Sequence, residues 1–200
     1  MPKAMSSLLL IAAVVRALAS VATDATGAPD FTLHHKVAWV TGASRGLGLA
    51  IATAYAKQGA TVVLSGRDEN SLRRAVKHVT EACPDAANRC HALAFDVADA
   101  AERDAALSHL VAAVGRSPDI LVNNAGINRR ASLASMHDDD FNAVLQANLV
   151  GPFVLCRGCA PAMRARKWGR IIMIGSIYTM TGRENVCAYA ASTQAISGRA

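Results

Sequence analysis

The chain has 200 residues, a length that suits one domain with a substantial hydrophobic core. Apolar residues make up 52% of the chain and charged residues 18%, which argues against a disordered protein. Aromatic residues make up only 4%, too few for base stacking, so the net charge of +6 does not by itself indicate a nucleic-acid partner.

Residues 1–35 differ from the rest and are predicted to be an N-terminal extension. The first 23 contain Lys3 and Arg16 but no acidic residue, and the apolar run at 8–15 is too short to cross a bilayer. Such a stretch is typical of an organellar transit peptide, with a disordered extension or a secretory signal as alternatives. We expect a cytoplasmic or organellar protein with no membrane span.

From residue 36 onwards, short apolar runs alternate with amphipathic stretches. The runs predict buried strands at 36–40, 61–64, 91–95, 119–122 and 170–174. The stretches, in which apolar residues recur every three or four positions, predict helices at 46–58, 69–81, 101–114 and 138–166. Continuously apolar strands between helices are typical of an α/β fold, in which helices cover both faces of a parallel sheet.

The five cysteines are odd in number and irregularly spaced, which predicts a reducing compartment rather than a disulfide framework. Cys156 and Cys159 have the C-x-x-C spacing, but they fall inside a predicted helix. A redox pair would lie at the start of a helix that follows a strand. We therefore expect neither a redox site nor a metal site there.

A glycine-rich turn, Gly42 to Gly48, joins the first strand to the first helix. Glycines allow a tight turn and a close approach of the backbone to a ligand, and the helix start offers free N–H groups and a positive dipole end. A pyrophosphate is the ligand that this arrangement suits. An ordinary strand-to-helix connection is the alternative, but the position at the start of a βαβ unit favours the phosphate.

The spacing of Gly42, Gly46 and Gly48, together with the run from Asn123 to Gly126 after the fourth strand, resembles the short-chain dehydrogenase/reductase family over residues 36–200. The 3-oxoacyl-(acyl carrier protein) reductases and the gluconate 5-dehydrogenases are the members it resembles. The resemblance implies a Rossmann-type, doubly wound parallel sheet that is C-terminally truncated here, without the family's last two strands and substrate loop. It also implies a small carbonyl or hydroxyl substrate, which acyl carrier protein can carry, and a homo-oligomer for a full-length form.

The resemblance also implies the cofactor-binding residues. Arg67 lies at the end of the second strand, where an acidic residue would favour NAD and an arginine suits the 2′-phosphate of NADP. Arg45 is placed to reach the same phosphate. The alternative is that these arginines are solvated surface residues. We therefore expect NADP rather than NAD. Asp96 and Val97 would contact the adenine, and Asn123, Ala125 and Gly126 the nicotinamide ribose. The turn would contribute Gly42, Ser44, Arg45, Gly46, Leu47 and Gly48.

Ser176 and Tyr189 resemble the family's catalytic serine and tyrosine in their spacing. The resemblance implies that Tyr189 is the general acid/base and that Ser176 holds and polarises the substrate carbonyl. The family has a lysine four residues after the tyrosine, and its charge lowers the pKa of the family's tyrosine and binds the ribose. Thr193 stands at that position here, so the relay is expected to be impaired.

Asn148 is a third catalytic candidate, and its position argues for it independently. It is the only polar member of an apolar helical stripe formed by Phe141, Val144, Leu145 and Leu149. A buried amide without partners costs about 1–3 kcal/mol, so we expect this side chain to have a function. Pro152 cannot donate to the Asn148 carbonyl, which is thus predicted to hold a water, as the family's asparagine does. The alternative is an asparagine that faces solvent.

The sequence therefore predicts an oxidoreductase that transfers a hydride between NADPH and a carbonyl or hydroxyl substrate of the 3-oxoacyl or sugar-acid type. Arg129 and Arg130 would suit a carboxylate substrate, although a solvated charge pair explains them equally well. The alternative is a catalytically impaired dinucleotide-binding module or a truncated gene product, because of Thr193 and the missing substrate region.

Overall fold

A parallel sheet of five strands is the centre of the fold. The computed structural model describes residues 31–197, so the predicted N-terminal extension lies outside the described residues except for 31–35. The strands are β1 (Val37–Thr41), β2 (Thr61–Gly66), β3 (Cys90–Ala94), β4 (Ile120–Asn123) and β5 (Arg170–Met173). They lie in the order β3-β2-β1-β4-β5 and all pair in parallel, which confirms the predicted Rossmann-type sheet.

The helices alternate with the strands as predicted, and the predicted elements match the observed bounds to within two residues. They are α1 (Gly46–Lys57), α2 (Glu69–Ala82), α3 (Ala100–Val114), α4 (Asp138–Leu145), α5 (Gly151–Ala165) and α6 (Cys187–Ser197). The region predicted as one long helix contains a π-helical turn, Gln146–Val150, between α4 and α5. Pro152 follows this turn, and a residue without an N–H group cannot continue the regular α-helical bonding there.

Alternate residues of the strands face two separate hydrophobic layers. On one face, Ala38 and Val40 of β1 pack with α1 and α2; on the other, Val37 and Trp39 pack with α3 and α5. Trp39 is fully buried, and its indole N–H donates to Ser65 Oγ at 2.9 Å. Helices cover both faces of the central strands β1, β2 and β4, which are buried on both sides and therefore apolar without interruption. The strands predicted at 91–95 and 170–174 are not fully buried, because β3 and β5 are the edge strands of the sheet, and Ile171 and Ile172 of β5 are 40% and 38% exposed.

The stretch Asp138–Ala165 is, among the described residues, the one helical segment long and apolar enough to cross a membrane by length and composition. Leu155, Cys159 and Met163 of this stretch belong to the same buried cluster as Trp39 and Leu110. Packing inside the fold therefore accounts for its apolar character.

A buried carboxylate fastens the amino ends of β1 and β4. Asp119 is 1% exposed, and its Oδ2 accepts a hydrogen bond from Val37 N at 2.8 Å. Its Oδ1 lies 2.6 Å from Arg116 Nη2 and 3.0 Å from Arg166 Nε. This cluster lies at the edge of the sheet opposite the glycine-rich turn.

Strand order reverses between β1 and β4, since the chain moves outward to β2 and β3 before it returns to β4. In open parallel sheets, ligands bind at such a switch point, beyond the carboxyl ends of the strands. The glycine-rich turn and the run from Asn123 to Gly126 both lie at this edge.

Candidate active site

A cleft of about 480 Å³ lies at the carboxyl edge of the sheet. Eleven of the twelve predicted cofactor residues line it, namely Gly42, Ser44, Arg45, Gly46, Leu47, Gly48, Arg67, Asp96, Val97, Ala125 and Gly126. The fold thus brings together residues from the ends of four strands. We refer to this cavity as the nucleotide cleft.

The glycines of the turn meet two different physical demands. Gly42 has a φ of +63°, and a Cβ there would lie 2.8 Å from the Cα of Ala125, so the two loops meet backbone to backbone. Gly46 has a φ of +58°, but a Cβ there would meet no described atom within 4 Å. Gly46 therefore faces open space, where a ligand can approach the backbone.

The start of α1 differs from those of α2 and α3 because no side chain caps it. Asp68 and Asp99 cap α2 and α3 by accepting a hydrogen bond from a backbone N–H group of the first turn. In α1 the capping residue is Arg45, whose side chain makes no such bond, and the first turn has no acidic residue. Free N–H groups and an unneutralised positive dipole end fit a pyrophosphate.

Thr41 and Asn124 hold the glycine-rich turn against the end of β4, and sequence reasoning missed both. Thr41 Oγ1 accepts hydrogen bonds from the backbone N–H groups of Asn124 and Ala125, each at 3.0 Å. The Asn124 side chain donates to the carbonyls of Thr41 at 2.9 Å and Gly42 at 3.1 Å. A hydroxyl at the last position of an otherwise apolar strand was the available signal.

Positive side chains border the end of the cleft where the resemblance predicts the adenosine. Arg45 and Arg67 are exposed, and Arg67 Nη1 lies 3.9 Å from Asp96 Oδ2. The two arginines also line an adjoining depression with Arg74 and His78 of α2, which sequence reasoning missed. Their signal was the spacing of four residues between Arg74 and His78, which places both on one face of α2.

A second cavity of about 540 Å³ adjoins the nucleotide cleft, and Leu47, Ala125 and Gly126 are among the residues that line both. It brings together the three predicted catalytic residues, Asn148, Ser176 and Tyr189, from three different elements. We refer to it as the catalytic cavity. A ligand in it lies beside the inner end of the nucleotide cleft.

Asn148 lies in the π-helical turn and is 7% exposed, so its side chain is buried rather than facing solvent. Its Oδ1 accepts from Ile127 N at 2.8 Å, and its Nδ2 donates to Ile127 O at 2.9 Å and to Ser192 Oγ at 3.1 Å. Ser192 Oγ in turn donates to Tyr189 O at 2.8 Å. The amide therefore connects the loop after β4 to the helix that carries Tyr189.

Tyr178 is a further residue of the catalytic cavity that sequence reasoning missed. Its backbone N–H donates to Ser176 Oγ at 3.3 Å, and its ring meets that of Tyr189 edge to face, with centroids 6.3 Å apart. Arg183 Nη1 donates to the Tyr178 hydroxyl oxygen at 2.8 Å. No sequence motif predicts the contact between Tyr178 and Arg183, because both lie in an irregular loop without periodicity.

Thr193 lines the same cavity and is 3% exposed, with its hydroxyl donating to Ala190 O at 3.1 Å. Among the described residues that line this cavity there is no Lys, Arg, His, Asp or Glu. Lys167, the nearest lysine in sequence, lies between α5 and β5, at the opposite edge of the sheet. The described chain therefore has no lysine in place of the one the family carries.

Asn123 is the predicted cofactor residue that does not line the nucleotide cleft. It lines the catalytic cavity, is 3% exposed, and its Nδ2 donates to Cys156 Sγ at 3.4 Å and Met173 Sδ at 3.2 Å. Its amide thus points towards α5 and β5, because the last residue of a twisted strand directs its side chain onto one face of the sheet. Its assignment to the cofactor remains a prediction.

The remaining candidates fall outside the catalytic cavity. Cys156 and Cys159 lie within α5, as predicted, and burial raises the pKa of the Cys159 thiol to about 12. In residues 31–197 no three His, Cys, Asp or Glu side chains come together as a metal site would require. Arg129 lines the nucleotide cleft, and its Nε lies 3.6 Å from Asp140 Oδ1. Arg130 is exposed.

Curated proteins of similar sequence are dehydrogenases and reductases. The chain is 37% identical over 162 residues to the 2-dehydro-3-deoxy-D-gluconate 5-dehydrogenase of Formosa agariphila, covering 81% of this chain and 60% of that protein. It is also 37% identical over 163 residues to the 3-oxoacyl-(acyl-carrier-protein) reductase of Salmonella typhimurium, covering 82% of this chain and 64% of that protein. The chain therefore spans somewhat under two thirds of these relatives.

A solved structure of similar fold is the gluconate 5-dehydrogenase from Burkholderia cenocepacia J2315 in complex with NADP and tartrate. The TM-score is 0.73 and the sequence identity 36%, over 84% of this chain and 64% of that one. The family model for short chain dehydrogenases matches residues 36–199. The chain therefore belongs to the short-chain dehydrogenase family.

Proposed function

We propose that this chain is the cofactor-binding and catalytic part of an NADP-dependent oxidoreductase that interconverts a carbonyl and a hydroxyl group. The observation that carries the proposal is the convergence of Asn148, Ser176 and Tyr189 on a cavity that adjoins the nucleotide cleft. The relatives support two substrate types, since one is named for a sugar acid and another for a 3-oxoacyl group carried on acyl carrier protein.

The residues of the nucleotide cleft fit a phosphorylated dinucleotide. The uncapped start of α1 would hold the pyrophosphate, and Arg45 and Arg67, with Arg74 beside them, would hold the 2′-phosphate. Asp96 and Val97 would border the adenine, and Ala125 and Gly126 the inner ribose. When bound, NADPH supplies the hydride. The NADP in the Burkholderia gluconate 5-dehydrogenase supports this assignment.

The chain's own residues would manage the proton and the substrate oxygen. Tyr189 would give its hydroxyl proton to the oxygen as negative charge develops there, and Ser176 would donate a hydrogen bond to the same oxygen. The backbone carbonyl of Asn148 would hold the water that returns a proton to Tyr189. By its hydrogen bonds to Ile127 and Ser192, the Asn148 amide would hold the loop after β4 and the helix that carries Tyr189 in fixed positions relative to each other.

Thr193 supports a second candidate function, a dinucleotide-binding module with little or no turnover. A threonine carries no charge, and no charged side chain of the described residues lines the catalytic cavity. Loss of well-placed acid–base assistance costs about 10²–10⁴ in rate. Nucleotide binding is common to both candidates, so turnover decides between them.

The deciding experiment is a hydride-transfer assay on the purified chain and its Thr193→Lys variant, with a sugar-acid ketone and a 3-oxoacyl thioester as substrates. We expect turnover that Thr193→Lys raises at least ten-fold and that Tyr189→Phe abolishes in either background. If both proteins bind NADPH and neither oxidises it with either substrate, the binding module is the better description.

A further inference from the structure

Tyr178 lies among the catalytic groups, although no motif or relative assigns it a function. Its backbone N–H donates to Ser176 Oγ at 3.3 Å, and its ring meets that of Tyr189 at an interplanar angle of 82°. All three side chains line the catalytic cavity. The backbone of Tyr178 is therefore hydrogen-bonded to Ser176 and its ring packs against Tyr189, the two residues that would contact the reacting oxygen.

Arg183 determines what the Tyr178 hydroxyl can do. Its Nη1 donates to the phenolic oxygen at 2.8 Å, and this hydrogen bond raises the pKa of Arg183, so the guanidinium stays charged. A guanidinium has donors only and cannot accept the phenolic hydrogen. The Tyr178 O–H group must therefore donate to a different group, and its oxygen is already polarised by the charge beside it.

The charge distribution shows which ligand would use this donor. Among the described residues that line the catalytic cavity, none is a Lys, Arg, His, Asp or Glu. Arg183 acts on the cavity through Tyr178, to which it is hydrogen-bonded. A donor backed by a cation favours a carboxylate or a polarised hydroxyl oxygen, since hydrogen bonds to charged partners are about twice as strong as neutral ones.

We propose that Tyr178, held by Arg183, is a specificity-determining residue that donates a hydrogen bond to the carboxylate or hydroxyl end of a hydroxy-acid substrate. This assignment rests on the proposed function and narrows its substrate to the sugar-acid type. A 3-oxoacyl thioester offers this hydroxyl at most its neutral thioester carbonyl, a weaker partner for a charge-backed donor than a carboxylate.

The test is a calorimetric titration of the purified full chain, saturated with NADP⁺, with tartrate as the hydroxy-acid probe. We expect tartrate to bind, and Tyr178→Phe to weaken it about ten-fold, the loss expected for one hydrogen bond to a charged group. We expect Arg183→Gln to weaken tartrate binding to a similar extent, and Arg183→Lys to weaken it less because it keeps the positive charge. The matched control is Arg164→Gln, which removes an exposed arginine at the end of α5.

NADPH affinity is measured for every variant and separates two kinds of failure. If NADPH binds but tartrate does not, or if Tyr178→Phe binds tartrate as tightly as the unmodified chain, the Tyr178 assignment is wrong and the proposed function stands. Tighter binding of an uncharged 3-oxoacyl thioester than of tartrate also overturns the assignment. If no nucleotide binds, the proposed function fails, and the assignment that rests on it fails too.

Discussion

Replacing Asn148 by alanine removes the amide that joins three parts of the catalytic cavity. The side chain makes two hydrogen bonds to the backbone of Ile127 and one to Ser192. A buried donor or acceptor left without a partner costs about 1–3 kcal/mol. Because Ile127 is half-buried and water can satisfy part of the deficit, we expect Asn148→Ala to lower the free energy of unfolding by about 2–4 kcal/mol.

Urea unfolding followed by tryptophan fluorescence measures this loss, since the fully buried Trp39 reports on the core. With an m-value of about 2 kcal/mol/M, the midpoint should fall by about 1–2 M. Asn142→Ala is the control, because Asn142 is an exposed amide in the preceding helix α4. If the unfolding midpoint of Asn148→Ala equals that of Asn142→Ala, the hydrogen bonds of Asn148 do not stabilise the fold as argued.

A double-mutant cycle isolates the contact between Asn148 and Ser192. Each single alanine variant breaks the 3.1 Å hydrogen bond, so the double variant should lose about 0.5–1.5 kcal/mol less than the sum of the two. Additive losses would mean that the two side chains act independently. Asn148→Asp, which keeps an acceptor for Ile127 N but loses both donated bonds, should also be destabilised.

Three other predictions follow from the contacts. Gly46→Val places a side chain in the open space where the pyrophosphate is proposed to bind, and should weaken NADPH binding at least ten-fold in a fluorescence titration. Gly115→Ala, which has a similarly positive φ but ends α3, should leave binding unchanged. Asp119→Ala should lower the free energy of unfolding by about 2–4 kcal/mol, because it removes the buried carboxylate that pairs with Arg116 and Arg166. The same substitution of an exposed aspartate of α4 should cost almost nothing, and equal losses would contradict the stabilising role of the Asp119 ion pairs. Burial raises the pKa of Cys90 to about 11 and that of Cys159 to about 12. Both thiols should therefore stay largely protonated at pH 8 and react with a thiol reagent only when the protein unfolds. Rapid reaction of these two cysteines in the folded chain would contradict this prediction.

Periodicity predicted the fold well because burial determines it. The central strands β1, β2 and β4 are buried on both faces and continuously apolar, and each amphipathic stripe becomes the inner face of a helix. The apolar runs of β3 and β5 gave the right strands but not their exposure, because their place at the edges of the sheet is not visible in the sequence. The same logic placed Asn148 in the interior. Pro152, predicted to leave the Asn148 carbonyl without its α-helical partner, follows the π-helical turn that contains Asn148, although the sequence predicted a single long helix there. The glycine-rich turn and the parallel strand order then determine where the carboxyl ends of the strands meet.

The site was less predictable where contacts depend on three-dimensional register. The hydrogen bonds between Thr41 and Asn124 require that β1 and β4 are neighbours, which no local pattern shows. The pairing of Tyr178 with Arg183 joins two residues of an irregular loop. The contacts of the Asn123 amide with Cys156 and Met173 depend in the same way on the packing of β4 against α5 and β5, and its contact with the nucleotide remains a prediction.

The central claim is that this chain binds a phosphorylated dinucleotide in the cleft above β1, and a titration with NADPH and NADH under nicotinamide fluorescence tests it most directly. We expect NADPH to bind at least ten-fold more tightly than NADH, and Arg67→Ala to remove most of this preference while leaving NADH affinity unchanged, because Arg67 would contact the 2′-phosphate alone. Binding of neither nucleotide, or tighter binding of NADH, would contradict the claim.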